Sequence, residues 1–202
     1  MSKMQSSETV EMATLSCLQD ILSMGVVELM PYLFQILSLL LEHSHSSGMS
    51  SSFRPLLDPV LQHSLWSIQG NVPALSRLLE AFVSRDPLFI FSDTSKLIAI
   101  LGIFQTLLPS KIHSHLAFNL IQILVCKIPS DIMGPFVTPV FVQILQRSQT
   151  NKTPQFSNLF SMFLCHFSCF YATAEYPICS IGSQGLPPVV LVLESIQPRY
   201  HS

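Results

Sequence analysis

Residues 70–82 have the sequence GNVPALSRLLEAF, which contains a helix start followed by an amphipathic pattern. Asn71 belongs to the residue types that cap helix N-termini, and Pro73 falls in the first turn, where no backbone N–H is needed. Apolar side chains then recur at helical spacing, at Leu75, Leu78, Leu79 and Phe82. Because residues 85–87, Arg-Asp-Pro, break this pattern, we expect the helix to end there.

The same pattern recurs along most of the chain, in helices that fall into pairs. The first helices are predicted to begin near Thr9, Ser52, Asp93 and Asp131, and their partners near Val26, Asn71, His113 and Pro154. This recurrence is close to the roughly 40–47 residues of HEAT and armadillo repeats. The sequence therefore predicts an all-α fold, an α-solenoid of about four antiparallel helix pairs in which stacking buries the apolar faces. A four-helix bundle fits the regular spacing less well.

Several helix boundaries carry capping or proline residues. Asp93 can cap the helix that follows it, and Thr153 precedes Pro154 at the predicted start of the last helix. Pro135 and Pro139 are predicted to lie early in the helix that begins near Asp131.

The composition is apolar and nearly neutral, with 49% hydrophobic and 11% charged residues and 10 Lys+Arg against 12 Asp+Glu. This balance favours neither nucleic acid nor an anionic membrane surface as a partner. A membrane span needs roughly 18 consecutive apolar residues. The best candidates, residues 26–41, 97–108 and 156–174, are too short or interrupted by polar residues. We therefore predict that neighbouring helices, and not lipid, cover the apolar surface.

Two features favour an intracellular protein. The N-terminal sequence MSKMQSSE lacks the basic and then apolar order of a signal peptide. The cysteines are irregularly spaced and odd in number, so they do not suggest a disulfide framework. They are interpreted as buried free thiols in a reducing compartment: Cys17, Cys126, Cys165, Cys169 and Cys179.

Some side chains could bind a metal ion, but each has a simpler interpretation. Cys165, His166 and Cys169 lie close together on a predicted helix, and Cys179 is a candidate third ligand. The phenylalanines around them favour an ordinary apolar helix, in which free cysteine is a common core residue. The pairs His43/His45 and His113/His115 have a two-residue spacing that does not share a helix face, and the helix dipole explains a histidine near a helix C-terminus.

No pattern of catalytic residues is present. The sequence lacks a glycine-rich phosphate loop, a G-x-S-x-G elbow and an H-E-x-x-H pair, so we predict no enzyme activity and no cofactor. Residues 151–153 form a glycosylation sequon, but an intracellular chain favours a polar loop with a helix start at Thr153.

Charged side chains on the predicted second helices are the remaining candidates for partner binding. They are Glu28, Glu42, Arg77, Glu80, Arg85 and Lys127. Second helices of HEAT pairs usually line the concave face, but each position also fits the solvated side of an amphipathic helix. None of them is assigned to a catalytic, cofactor-binding or metal site.

Four segments in the same order resemble a known family. Their sequences are PYLFQILSLLLE at residues 31–42, GNVPALSRLLEAF at 70–82, LGIFQTLL at 101–108 and ILQRSQTNKT at 144–153. Together they resemble the importin-α re-exporters, the CAS-type exportins of the importin-β family, over about residues 8–172. The positions of Pro, Asn, Gly and Gln within these segments make the likeness more specific than leucine periodicity alone.

The resemblance implies a function as a protein-binding scaffold without catalysis. Members of this family are HEAT superhelices that bind importin-α together with Ran-GTP in the nucleus and release it in the cytoplasm after GTP hydrolysis. The chain resembles an interior-to-C-terminal stretch, and the N-terminal repeats that make much of the Ran contact have no counterpart in it. The resemblance therefore implies nuclear and cytoplasmic localisation, with importin-α and Ran-GTP as partners of the longer protein.

The chain is expected to divide into a tail (1–8), a HEAT segment (9–172), an irregular insertion (173–185) and an incomplete repeat or tail (186–202). The insertion contains Pro177, Gly182 and Gly185 and is predicted to be poorly ordered. An alternative function is a truncated splice or gene-model product that does not transport and has a structural or regulatory role at most. Because neither end has an evident polar cap, marginal solubility and no tight complex with both partners are expected of residues 1–202.

Overall fold

The computed structural model describes residues 26–44, 49–150 and 153–173, together with Ser16, Asp20, Ile21 and Met24. Within that part of the chain every regular element is helical. Two short 3-10 helices span Val27–Leu29 and Arg54–Leu56. The α-helices are α1 (Met30–His43), α2 (Leu57–Val60), α3 (His63–Trp66), α4 (Val72–Arg85), α5 (Pro87–Phe91), α6 (Thr94–Leu107), α7 (Ser114–Lys127), α8 (Ser130–Thr150) and α9 (Pro154–Thr173). No helix described here has the length and hydrophobicity of a membrane span.

Most predicted helix starts are confirmed. Among the second helices, α4, α7 and α9 begin within one residue of the predicted positions, and α1 begins at Met30 after a 3-10 turn. Among the first helices, α6 and α8 also begin within one residue. The predicted helix from Thr9 falls mainly outside the described residues, as do the predicted tail 1–8, nearly all of the predicted insertion and the segment 186–202.

The start of α4 differs in one detail from the prediction. Pro73 lies in the first turn, as expected, but the Asn71 side chain accepts no capping hydrogen bond. The backbone of Asn71 is itself helical, with φ −80° and ψ −28°, whereas a capping residue adopts an extended conformation. Asn71 is buried, and its Nδ2 donates instead to the Leu65 carbonyl oxygen at 3.4 Å. It therefore anchors the preceding turn and does not cap the helix.

The predicted first helix near Ser52 is wrong as a single element. The chain forms three short pieces there: the 3-10 helix Arg54–Leu56, then α2 and α3. Pro55 and Pro59 each lie in the first turn of one piece, because a proline ring clashes with the carbonyl group four residues earlier and ends a preceding helix. Trp66 Nε1 donates to the Val60 carbonyl oxygen at 2.8 Å and holds α3 against α2.

Helix α8 has two prolines in its interior. Pro135 and Pro139 were predicted to lie early in this helix, but it begins at Ser130 and runs for 21 residues. Each proline lacks the N–H that would donate to the carbonyl oxygen four residues earlier. Both are exposed, so the carbonyl groups without a donor lie on the solvent side, where water can satisfy them.

Replacing Pro139 with alanine should raise the free energy of unfolding by about 1–2 kcal/mol. The substitution restores one helical hydrogen bond and removes a ring clash. Together these gains outweigh the conformational entropy that the unfolded chain gains when the proline is removed. Urea denaturation followed by circular dichroism measures the effect. Pro154→Ala is the matched control, because Pro154 is the first residue of α9 and its N–H would have no helical partner. An equal gain in both variants would contradict this interpretation of α8.

The chain separates into two compact units, Met1–Leu107 and Leu108–Ser202. In the first unit the most extensive helix contact joins α1 and α4. Its fully buried side chains include Phe34, Leu37 and Leu41 from α1 and Leu75, Leu78 and Phe82 from α4. Thus two helices predicted as second members of successive pairs pack against each other, as stacked repeats require.

In the second unit α7 and α9 pack together around an aromatic cluster. The aromatic cluster consists of Phe118, Phe141, Phe156, Phe163 and Phe167. Neighbouring ring centroids lie 5.0–6.0 Å apart in edge-on or tilted arrangements, which are favourable for aromatic pairs. The cluster draws on α7, α8 and α9 and forms the core of this unit.

Candidate binding surface

Three of the charged side chains predicted on second helices meet between α1 and α4. Arg77 Nε donates to Glu42 Oε1 at 2.8 Å, and Arg77 Nη2 donates to Glu42 Oε2 at 2.7 Å. This two-bond geometry is the strongest form of arginine–carboxylate pairing. Glu80 lies one turn further along α4, and Ser76 Oγ donates to its Oε1 at 3.3 Å. We call Glu42, Ser76, Arg77 and Glu80 the α1–α4 charge cluster.

The two carboxyl groups of the cluster have opposite pKa shifts. The hydrogen bonds from Arg77, opposed by some burial and helped by its positive charge, hold the pKa of Glu42 below its ordinary value. Burial raises the pKa of Glu80. The Ser76 hydrogen bond opposes that rise, and the negative charge of Glu42 adds to it. The cluster therefore presents one firmly ionised carboxylate and one that takes up a proton more readily.

Replacing Glu80 with glutamine should stabilise the first unit at pH 7 by up to about 1 kcal/mol and have little effect near pH 4. A carboxyl whose pKa rises on folding contributes most to the stability of the folded state below its ordinary pKa of 4.5. That contribution to stability is lost as the pH rises through the pKa of the folded state. Urea denaturation at both pH values measures the difference. The control, Glu42→Gln, should change stability in the opposite direction. A carboxyl whose pKa falls on folding stabilises the folded state at pH values above its ordinary pKa. Equal effects at both pH values would contradict the prediction for Glu80.

The other three predicted charges lie elsewhere. Arg85, at the C-terminal end of α4, donates through Nη2 to the carbonyl oxygen of Ser44, while its Nε is buried without a hydrogen-bond partner. It ties the segment after α1 to α4. Glu28 lies in the 3-10 helix at the opposite end of α1 from Glu42, and Lys127 ends α7 in the second unit. The structure therefore groups only part of the predicted set.

A second charged group was not predicted from the sequence. The ring of Phe89 has Lys96 Nζ at 3.9 Å and the Arg54 guanidinium carbon at 5.1 Å from its centroid. Arg54 also pairs with Asp86 at 3.0 Å, and Asp86 Oδ1 accepts from the Phe89 backbone N–H and so caps α5. The feature of the sequence that could have indicated this group is Asp86 followed by Pro87, a pair typical of a helix start. Because these contacts join the 3-10 helix Arg54–Leu56, α5 and α6 to one another, the group stabilises the fold.

The candidate metal ligands do not form a site. Among the described residues, no group of three His, Cys, Asp or Glu side chains is close enough to hold a metal ion. Cys165, His166 and Cys169 are exposed on α9, and Cys179 lies outside the described residues. The interpretation of the cysteines as buried thiols is wrong for Cys126, Cys165 and Cys169, which are exposed. On α9 the apolar periodicity is satisfied by Phe163 and Phe167, which occupy the buried face instead.

The described histidines of the two pairs, His43, His113 and His115, lie at helix ends, but for different reasons. His43 is the last residue of α1, and its Nδ1 lies 2.9 Å from the Leu39 carbonyl oxygen, in agreement with the helix-dipole interpretation. His113 is at the N-terminus of α7, so that interpretation does not apply to it. It is buried, and burial together with the charge of His115 lowers its pKa. His45 lies outside the described residues.

The interpretation of the sequon as a helix start is confirmed at Thr153. Its Oγ1 accepts from the Phe156 backbone N–H at 3.3 Å and caps α9. Asp93 caps α6 as predicted, since its Oδ1 accepts from the Ser95 backbone N–H at 2.9 Å. Asn151 and Lys152 lie outside the described residues.

Comparison with known proteins identifies the family. The family described as "CAS/CSE protein, C-terminus" matches residues 1–198. Exportin-2 of Danio rerio is 37% identical over 153 residues, which cover 75% of this chain and 16% of that protein. The importin-alpha re-exporter of Schizosaccharomyces pombe is 32% identical over 171 residues, which cover 85% of this chain and 17% of that protein. The chain thus spans about a sixth of the length of the curated relatives it matches.

A solved structure shows the same fold. The chain is similar to the exportin Cse1 in its cargo-free, cytoplasmic state, with a TM-score of 0.64 and 32% identity over 71% of this chain and 15% of that one. This likeness confirms the predicted α-solenoid of HEAT-type repeats, and the family match confirms the predicted resemblance to the CAS-type exportins. The chain belongs to the CAS/CSE family of exportins and corresponds to the C-terminal part of its members.

Proposed function

We propose that this chain is a stretch of the protein-binding scaffold of a nuclear export receptor that returns importin-α to the cytoplasm in complex with Ran-GTP. The observation that carries the proposal is the match to the CAS/CSE C-terminal region over residues 1–198. The names of the relatives, exportin-2 and importin-alpha re-exporter, indicate the direction and the cargo of transport. In this role the chain has no catalytic step and no cofactor, and it acts in both nucleus and cytoplasm.

The described surface is compatible with contacts to proteins. The α1–α4 charge cluster places exposed Glu42 and Arg77 on two adjacent helices, and their mutual ion pair fixes both side chains in position. Preorganised charges of this kind favour specificity and orientation in a complex more than affinity. A receptor that contacts its partners through many repeats needs only a small contribution to the binding free energy from each repeat.

The proposal is tested with a chimera of the Schizosaccharomyces pombe re-exporter in which the aligned segment is replaced by the segment of this chain. We expect the chimera to bind importin-α in a Ran-GTP-dependent way with an affinity within about tenfold, or about 1.4 kcal/mol, of the parent. Calorimetry with importin-α and either Ran-GTP or Ran-GDP measures it. A folded chimera that has lost the complex would contradict the proposal and favour the alternative of a non-transporting product.

Residues 1–202 on their own provide the second arm of the same experiment. We expect a dissociation constant weaker than about 1 µM, since the isolated stretch keeps few contacts but still loses translational and rotational freedom on binding. Tight, Ran-GTP-dependent binding of importin-α by the isolated chain would contradict the interpretation that the contacts to the partners are spread over many repeats.

A further inference from the structure

Helix α4 is accessible to solvent along a single narrow line. Its exposed or half-buried residues are Pro73, Arg77, Glu80, Ser84 and Arg85, and every other residue of the helix is buried. In the sequence, α4 has described helices on both sides, α1 to α3 before it and α5 to α9 after it, so it is an interior helix of the array. Solenoids bind their partners on the extended surfaces that successive repeats form, and this line is the part of α4 that can contribute to such a surface.

Glu80 is the member of this line whose charge is not compensated. Arg77, one turn earlier, is engaged by Glu42 through two hydrogen bonds. Glu80 receives a hydrogen bond from a neutral group, the Ser76 hydroxyl, at 3.3 Å. In the part of the chain that the structure describes, no basic side chain forms a salt bridge with Glu80. With both carboxyl groups ionised, the α1–α4 charge cluster therefore carries two negative charges against one positive charge, and the uncompensated charge is on Glu80.

The fold does not explain an acidic side chain at this position. Glu80 is half-buried, and burial of a carboxyl group without a cation disfavours its charged form. Burial accordingly raises the pKa of Glu80, and the negative charge of Glu42, on the adjacent helix α1, adds to the rise. For this reason Glu80→Gln is expected to stabilise the first unit at pH 7. An ionisable group that lowers stability on an exposed line of a binding scaffold is a candidate for contact with a partner.

We propose that Glu80 accepts a lysine or arginine side chain from the protein partner of this scaffold. The choice of a basic group follows from charge complementarity, since a cation compensates the charge that the cluster leaves over and favours the ionised form of Glu80. Glu42 is already paired with Arg77, so the cluster has one place for an incoming cation, and that place is at Glu80. The inference rests on the proposed function, because it names the kind of side chain that the partner contributes.

The chimera with the Schizosaccharomyces pombe re-exporter tests this contact directly. Glu80→Gln in the chimera should weaken the Ran-GTP-dependent binding of importin-α about tenfold, and Glu80→Lys, which places like charges together, should weaken it further. Asp58→Asn is the matched control, since it removes one negative charge from an exposed position on α2 and should change the dissociation constant less than about twofold. Equal binding by the parent chimera and its Glu80→Gln variant would overturn the proposal. Equal weakening by Glu80→Gln and Asp58→Asn would do the same.

Stability measurements on the same chimeras separate a binding role of Glu80 from a structural one. At pH 7, Glu80→Gln should weaken binding and at the same time raise the free energy of unfolding, because it removes a half-buried charge. Urea denaturation measures the second effect. A Glu80→Gln variant that loses both stability and affinity would show that the side chain supports the fold and would overturn the proposal.

A second experiment tests Glu80 in residues 1–202 without importin-α. A chimera that does not bind importin-α at all would contradict the proposed function, and this second experiment then decides on Glu80 separately. Nuclear magnetic resonance of the side-chain carboxyl carbon follows the pKa of Glu80 with and without a peptide of alternating lysine and serine, at a concentration on the order of 1 mM. The lysine peptide should lower the pKa of Glu80 more than that of the exposed Asp58, whereas a peptide of alternating glutamate and serine should not lower it. A pKa of Glu80 that the lysine peptide leaves unchanged, or shifts no more than that of Asp58, would overturn the proposal.

Discussion

Replacing Phe163 with alanine should lower the free energy of unfolding of the second unit by about 3–5 kcal/mol. Phe163 is 2% exposed and has three aromatic neighbours in the cluster, Phe118, Phe141 and Phe167, with ring centroids at 6.0, 5.6 and 5.9 Å. The substitution removes the buried ring and all three pair contacts, and it leaves a cavity at the centre of the cluster. Urea denaturation followed by circular dichroism measures the loss.

The neighbouring Met162 provides the control for Phe163. It precedes Phe163 on α9 but is 61% exposed, so Met162→Ala should change stability by no more than about 0.5 kcal/mol. Phe163→Leu should fall between the two, since leucine fills part of the cavity. A loss below about 1 kcal/mol for Phe163→Ala would show that the aromatic cluster is not the core of the second unit.

Replacing Phe82 with alanine should destabilise the first unit by a similar amount, about 3–5 kcal/mol. Phe82 is fully buried on α4, the helix with the most extensive packing against α1. Its side chain lies in the last two turns of α4, near the point where Asp86 begins the next helix. Hydrogen exchange measures the effect, because amides of α1 and α4 should lose protection together when their shared core is weakened.

Ser84→Ala is the control for Phe82, because Ser84 is exposed on the same turn of α4. This variant should keep the protection of both helices, and alanine even favours the helix slightly. If Phe82→Ala reduced protection in α4 but left α1 unchanged, the two helices would not share one core.

Residue periodicity was enough to predict which segments are long helices. Each long helix buries one stripe of apolar residues, and a stripe at helical spacing is visible in the sequence. The short pieces around Pro55 and Pro59 were missed because each has only four residues or fewer, too few to show a period. Asn71 has the chemistry of a cap, but its backbone is helical, and backbone angles cannot be read from residue type.

The candidate surface was only partly predictable. The sequence placed Glu42 and Arg77 on second helices, but their pairing joins residues 35 positions apart and depends on how α1 lies against α4. The exposure of Cys165 and Cys169 depends on which face of α9 is buried, and the phenylalanines there allowed more than one choice. Residue spacing fixes which side chains share a face, whereas tertiary packing decides which face is covered.

Trp66, whose Nε1 donates a hydrogen bond to the Val60 carbonyl oxygen, is an intrinsic fluorescent probe of the first unit. Trp66 is the single tryptophan of the chain, and it is 4% exposed within the first unit. Its intrinsic fluorescence should therefore be emitted at the short wavelengths typical of an indole shielded from water, and it should shift to the red when the first unit unfolds. Emission excited at the indole absorption edge thus reports on the first unit without a label, whereas peptide circular dichroism reports on the helices of both units.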